Sequence, residues 1–312
     1  RGVVGLLAAP GGMGKSFALI DLAVSLACQK PWMGAFPTDA VNGRGRVLIA
    51  MAEEDEAEIH RRLWQIAKLR NLQPPDRLAV SEKISTIRLH GEECALTQEA
   101  RPGDANSTRT HFAENLQDEL EAMADDDDDE GWALIIVDPV SRFAGPDAEK
   151  DNAAATRFIQ ALEHMTKLPG NPSIIAAVHT NKASRQVGFS HSGNAAGVRG
   201  SSAFVDGARW VAAMASAMDT DNPNHPTHGD PSRVWIGVAK NNYGRCPKEP
   251  RLFRRHDGGA LLYEGDEQSR AHVDAEKAAE NQGSKKPKKA KSNGAMNPKS
   301  YMALSVLDDD DE

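Results

Sequence analysis

The stretch AAPGGMGKSFALID, Ala8 to Asp21, places a glycine-rich turn between an apolar run and a segment with helical spacing. Val3–Ala8 reads as a buried strand. Leu19, Leu22, Ala23 and Leu26 recur every three or four residues, so Lys15–Cys28 reads as a helix. A strand, a tight turn, Gly14-Lys15-Ser16 and a helix are the parts of a P-loop, whose pattern is Gly, four variable residues, then Gly-Lys-Ser/Thr. Ala9 stands where that pattern opens with Gly, and a small Ala is a tolerable first residue. Pro10, Gly11, Gly12, Met13 and Gly14 keep the turn tight and leave its N–H groups free to surround phosphate oxygens. Lys15 is expected on the β- and γ-phosphates and the Ser16 hydroxyl on Mg²⁺, with Phe17 counted among the nucleotide-binding residues. Read this way, the loop binds ATP.

Outward from the loop, buried strands alternate with helices. Val47–Met51 reads as a second strand, followed by a helix marked by Ile59, Leu63 and Ile66. Ile84–Leu89 reads as a third strand, and Leu116, Leu120 and Met123 mark another helix. Ala133–Val137, a helix through Phe158, Leu162 and Met165, and Ser173–Val178 continue the alternation. Such a pattern predicts an α/β fold of RecA-like P-loop type: a mainly parallel twisted sheet with helices on both faces. Trp210–Ala215, Val234–Ala239 and Gly259–Tyr263 lack long helices between them and read as an antiparallel C-terminal extension. One ATPase core over residues 1–265 is expected, followed by a disordered tail over 266–312 that is polar, then Lys-rich, then acidic. A strand this close to Arg1 leads us to expect preceding sequence in the intact protein.

Composition sets bounds. The 312 residues are 40% hydrophobic and carry a net charge of −8. Six acids in Asp125–Glu130 and five in Asp308–Glu312 account for that sign, and setting them aside leaves +3. Overall charge therefore does not exclude nucleic acid; local placement decides. No apolar run approaches the roughly 20 residues that span a bilayer, so no membrane partner is expected. Three scattered cysteines form no metal pattern and fit a reducing, cytoplasmic location.

Further acidic or titratable positions complete an ATPase site. Asp138 ends the apolar strand ALIIVDP and is placed to hold the metal through water. Glu53 and Glu54 follow the second strand, at the edge of a parallel sheet where ligands gather. Either can orient or deprotonate the attacking water, and Glu53 is preferred. These acids also suit the start of the next helix. His179 ends SIIAAVH, beside the strand of Asp138, where it can sense the γ-phosphate. After it, Thr180–Ser202 is rich in glycine, serine and basic residues without apolar periodicity. Lys182, Arg185 and Arg199 in that loop are candidate contacts to single-stranded DNA.

The segments APGGMGKS, AEED…IHRRL, IIVDPVSRF, HTNK, RGSSAFVDGARW, GVAKNNYG and LFRRHDGGAL follow in this order. Together, over Gly2 to Tyr263, they resemble the RepA-type hexameric replicative helicases of broad-host-range plasmids, within the RecA-like ATPase group. The resemblance implies a homo-oligomer, a ring of six that moves 5′→3′ on single-stranded DNA, with ATP held between subunits. It also implies roles: Lys15 and Ser16 as phosphate and Mg²⁺ ligands, Glu53 as the catalytic carboxylate, Asp138 as the Walker B aspartate, His179 as the sensor. Arg199 matches an arginine finger from the neighbouring subunit, a role that competes with DNA contact. Lys240, a candidate nucleotide-binding residue, lies where relatives carry Lys-x-Arg, but Asn242 takes the Arg position here. Arg254 and Arg255 are further candidates near the nucleotide or the interface. A primase or initiator protein is an expected partner. Two other readings stay open: a RadA- or KaiC-like ATPase that does not unwind duplex, and an ATP-switched module that regulates assembly with a protein partner.

Overall fold

The computed structural model describes residues 2–38, 45–99, 108–125, 131–145, 150–180, 202–218, 227–247 and 249–266, with positions 148, 223 and 225. The acidic run after Asp125, the loop carrying Lys182, Arg185 and Arg199, and the tail beyond Asp266 lie outside the described residues.

Nine strands form one sheet among the described residues. They are β1 (Val4–Ala9), β2 (Arg46–Met51), β3 (Ile84–Arg88), β4 (Trp132–Asp138), β5 (Ser173–His179), β6 (Trp210–Ser216), β7 (Arg233–Asn241), β8 (Arg251–Arg255) and β9 (Leu261–Tyr263). Their spatial order is β3-β2-β4-β5-β1-β6-β7-β8-β9. The first six are parallel and the last three antiparallel. This is the expected RecA-like sheet, with one correction: Trp210–Ser216 pairs parallel with β1, so the antiparallel extension begins only at β7.

Period-two alternation divides the parallel strands between two cores. Val4, Leu6 and Ala8 of β1, Leu48 and Ala50 of β2, and Ile135 and Val137 of β4 face one side. There they meet α4 (His111–Asp125), α5 (Val140–Phe143), α6 (Asn152–Met165) and α7 (Ser202–Gly207), through residues such as Leu120, Phe143, Phe158 and Phe204. Leu7, Ala9, Ile49, Ile136 and Ala177 face the other side, against α1 (Lys15–Cys28) and α2 (Glu56–Leu69). Gly5 sits where the strands approach closely: a Cβ there would lie 2.7 Å from Ile175 Cδ1. A short helix, α3 (Pro74–Lys83), buries no residue and is tied to the loop after α1 by Lys30 Nζ donating to Asp76 at 2.5 Å. Sequence periodicity does not reveal α3 for that reason.

Candidate active site: a phosphate-loop crevice

Strand register assembles the site. Ala9 of β1 lies opposite His179 of β5, and Met51 of β2 opposite Asp138 of β4. The carboxyl ends of four neighbouring strands thus deliver the P-loop, the Glu53 turn, Asp138 and His179 to one edge, where open parallel sheets bind ligands. A crevice of about 320 Å³ lies there.

The loop conformation follows from its glycines. Gly12 and Gly14 adopt φ of 79° and 89°, the left-handed region that glycine enters without steric cost. Gly14 is the N-cap of α1 and uses no side-chain cap, so the first N–H groups of the helix remain available to an anion. Ala9 needs no such freedom. It is extended strand, its methyl is fully buried in the α1-side core, and its carbonyl accepts from Thr180 N at 3.1 Å. The missing first glycine is thereby accommodated. Pro10, Gly12, Met13, Gly14, Lys15, Ser16 and Phe17 line the crevice. Gly11 stands exposed at the turn.

Lys15 is only 7% exposed, and its Nζ donates to His179 Nδ1 at 3.3 Å. Burial pushes its pKa below the usual lysine value, opposed by the nearby charges of Asp138 and Glu53. Asp138 is likewise buried, and burial raises its carboxyl pKa against the Ser16 hydroxyl and Lys15. Ser16 hydrogen-bonds this carboxylate, while Asp138 Oδ2 is buried without a partner among the described residues. An orphaned buried carboxylate oxygen is costly unless something meets it. Together with an adjacent serine hydroxyl, it makes a donor set that fits a hard divalent cation and its waters.

The three consecutive acids after β2 have separate positions. Asp55 caps α2, its carboxylate accepting from Glu58 N at 2.8 Å. Glu54 accepts from Arg62 Nη2 at 2.6 Å. Glu53 lines the crevice close enough to Lys15 for their charges to interact, and among the described residues no hydrogen bond or ion pair fixes its carboxylate as Arg62 fixes that of Glu54. Its backbone carbonyl lies 3.2 Å from His90 Nδ1. Geometry thus separates Glu53 from Glu54, which sequence leaves as alternatives.

Other expected positions are placed differently. Lys240 does not line the crevice; its Nζ donates to the carbonyls of Val205 and Asp206, at 2.8 and 2.9 Å, at the end of α7. Arg254 is exposed and points with Leu252 to the face opposite Phe253, so it does not line the crevice either. Arg255, one residue on, takes the other face and reaches back to donate to Gly12 O at 2.9 Å. Burial lowers its pKa. Phe17, on the crevice wall, lies under the guanidiniums of Arg61 and Arg62 at 5.8 and 5.3 Å. Gly259 closes on its ring: a Cβ there would lie 2.5 Å from Phe17 Cε2, and φ is +98°. Arg62 and Gly259 are crevice residues that sequence reasoning missed. The paired glycines of HDGG were the available signal, as a turn demanding positive φ; Arg62 lies within the quoted IHRRL segment, which does not say what its guanidinium holds.

A family model described as an AAA domain, AAA_25, matches residues 1–185. A solved structure described as an ATPase domain is similar at 12% identity and a TM-score of 0.53, covering 84% of this chain and 85% of that chain. Another, of a DnaB-like replicative helicase and its interactions with primase, is similar at 13% identity and a TM-score of 0.52. It is covered over 57% of its length by 84% of this chain. At such identities the likeness speaks for the fold, in agreement with the sheet order and the crevice at its carboxyl edge. The chain belongs to the AAA domain family and is a nucleotide-binding P-loop ATPase.

Proposed function

We propose that this chain is the ATP-hydrolysing motor of a RepA-type replicative DNA helicase, working as a hexameric ring on single-stranded DNA. The observation that carries the reading is the crevice. A phosphate loop, a buried Asp whose Oδ2 has no partner among the described residues, and Glu53 near the Lys15 charge meet at one sheet edge.

On this reading Lys15 exchanges His179 for the β- and γ-phosphates of ATP, which leaves His179 placed to report whether the γ-phosphate is present. Ser16 and Asp138 would hold Mg²⁺, which supplies charge neutralisation on the phosphate oxygens. Glu53 takes the proton from the attacking water. Arg255 adds a cation from the far side of the loop. Arg199, outside the described residues, is the trans finger that ties each cleavage to a subunit boundary, and Lys182 and Arg185 belong to the strand-gripping loop. A primase is a fitting partner, since one similar structure is that of a replicative helicase described with its primase interactions. A cytoplasmic site of action goes with DNA replication. Among the described residues no helix is long and apolar enough to cross a membrane.

ATP turnover measured with and without single-stranded DNA, beside the mass of the assembly and strand displacement on a forked duplex, tests this. We expect severalfold stimulation by the strand, a ring-sized mass and ATP-dependent displacement. Turnover that ignores single-stranded DNA favours the ATP-switched assembly module. Stimulation without displacement favours the RadA- or KaiC-like alternative.

A further inference from the structure

We infer that Arg62 is a positioning residue that masks Glu54, so that Glu53 alone presents a free carboxylate to the triphosphate side of the crevice. The inference rests on the ATPase reading above and on Glu53 as the base.

Two adjacent glutamates follow the same strand and both line the crevice. A second free anion there would repel an incoming triphosphate and compete for the ammonium of Lys15. The structure disposes of it through one guanidinium. Arg62 Nη2 donates to Glu54 Oε1 at 2.6 Å, and Arg62 Nε donates to Glu58 Oε1 at 2.7 Å. The group is itself fixed: its side chain is 13% exposed, and it lies over the Phe17 ring at 5.3 Å. Phe17 follows Ser16 directly, so the mask is anchored to the first turn of the phosphate-loop helix. Arg61 cannot take over without abandoning its own bond, because its Nε and Nη2 both donate to Glu58, at 2.6 and 2.7 Å. Planarity matters here. A lysine could neutralise one carboxylate but not span two while stacking on a ring.

The test is a double-mutant cycle in the whole chain, read as kcat/KM for ATP and as the Kd of a fluorescent ATP analogue. Arg62→Met should lower kcat/KM and weaken the analogue by about tenfold each, as expected for one unscreened charge near a polyanion. Glu54→Gln alone should cost less than about threefold, and Arg62→Met/Glu54→Gln should return to within about threefold of the parent. Rescue is the readout that a merely structural role of Arg62 would not give. An Arg62→Met chain with parental constants, or one that Glu54→Gln fails to rescue, overturns the inference. If Arg62→Met does not yield folded protein, Arg62→Gln carries the same cycle, and the same outcomes decide it. Glu53→Gln separates the two levels: retained turnover there sinks the base assignment itself, whereas lost turnover with no rescue at Glu54 sinks only the mask.

Discussion

Helix α1 carries two buried charged clusters, one closed and one open. About six residues, or roughly 9 Å of helix, separate Lys15 from Asp21. In the closed cluster, Asp21 Oδ1 accepts from Met33 N at 2.8 Å, from Arg70 Nη1 at 2.9 Å and from Ser25 Oγ at 3.1 Å. Arg70 also donates to Ser25 Oγ and Pro31 O, at 2.6 and 2.8 Å. Its hydrogen bonds are made within the chain, and the cluster staples α1 to the end of α2. In the open cluster, Asp138 keeps an oxygen unanswered among the described residues, and the Lys15 ammonium donates to an imidazole nitrogen rather than to an acid. Burial raises the carboxyl pKa in both. What distinguishes a site from a strut is therefore not a perturbed pKa but unspent hydrogen-bonding capacity.

Matched Asp→Asn substitutions can break that contrast. Asp21→Asn leaves Arg70 buried beside a neutral partner and should destabilise the fold by about 3–5 kcal/mol, with kcat of the folded fraction preserved. Denaturant unfolding reads it, and Asp21→Leu/Arg70→Met should regain most of the loss. Asp138→Asn should do the reverse. We expect turnover to fall by about 100- to 1000-fold, the scale of one lost electrostatic element in an active site. Stability should hold or rise by about 1 kcal/mol, since a buried charge without full compensation is removed. Equal stability losses at the two positions would erase the distinction. The smallest effect concerns a charged group outside both clusters. Hydrogen bonding from Arg61, with Arg62 assisting, holds Glu58 at a pKa of about 2, below the ordinary 4.5. A depressed carboxylate stabilises above its unfolded pKa, and that contribution fades as pH falls from 4.5 toward 2. Solvent screening keeps it under about 1 kcal/mol. Glu58→Gln should thus differ slightly from the parent at neutral pH and converge with it as pH falls through about 2, by thermal unfolding across that range.

What could be read in advance follows the range of the interaction. The P-loop, its helix and the Asp138 strand were legible because neighbours in sequence make them: Gly12 and Gly14 set the turn, and Ile135–Val137 bury both faces. The direction of β6 was not, because the residues connecting it to β5 show no periodicity. Strand β8, reading Arg-Leu-Phe-Arg-Arg, hides two buried positions among three cations, and the period-two rule was needed to choose Arg255 over Arg254. Lys240, in AKNNYG, is held by the carbonyls at the end of α7 within its own chain, a contact no motif announces. The different contacts of Glu54 and Asp55 depend on Arg62, eight residues from Glu54, and on a helix cap, and the spacing of the acids alone shows neither.

The hydrogen bond from Arg255 to the Gly12 carbonyl has a consequence for how this protein can be dissected. The AAA_25 match ends at residue 185, yet one wall of the crevice is supplied by Arg255 and Gly259, some seventy residues later. A fragment trimmed to the matched boundary would hold Lys15, Glu53, Asp138 and His179 but leave Phe17 uncapped and the loop's outer rim bare. The minimal unit that preserves the pocket is set by the closing hairpin, not by the reach of the shared motif.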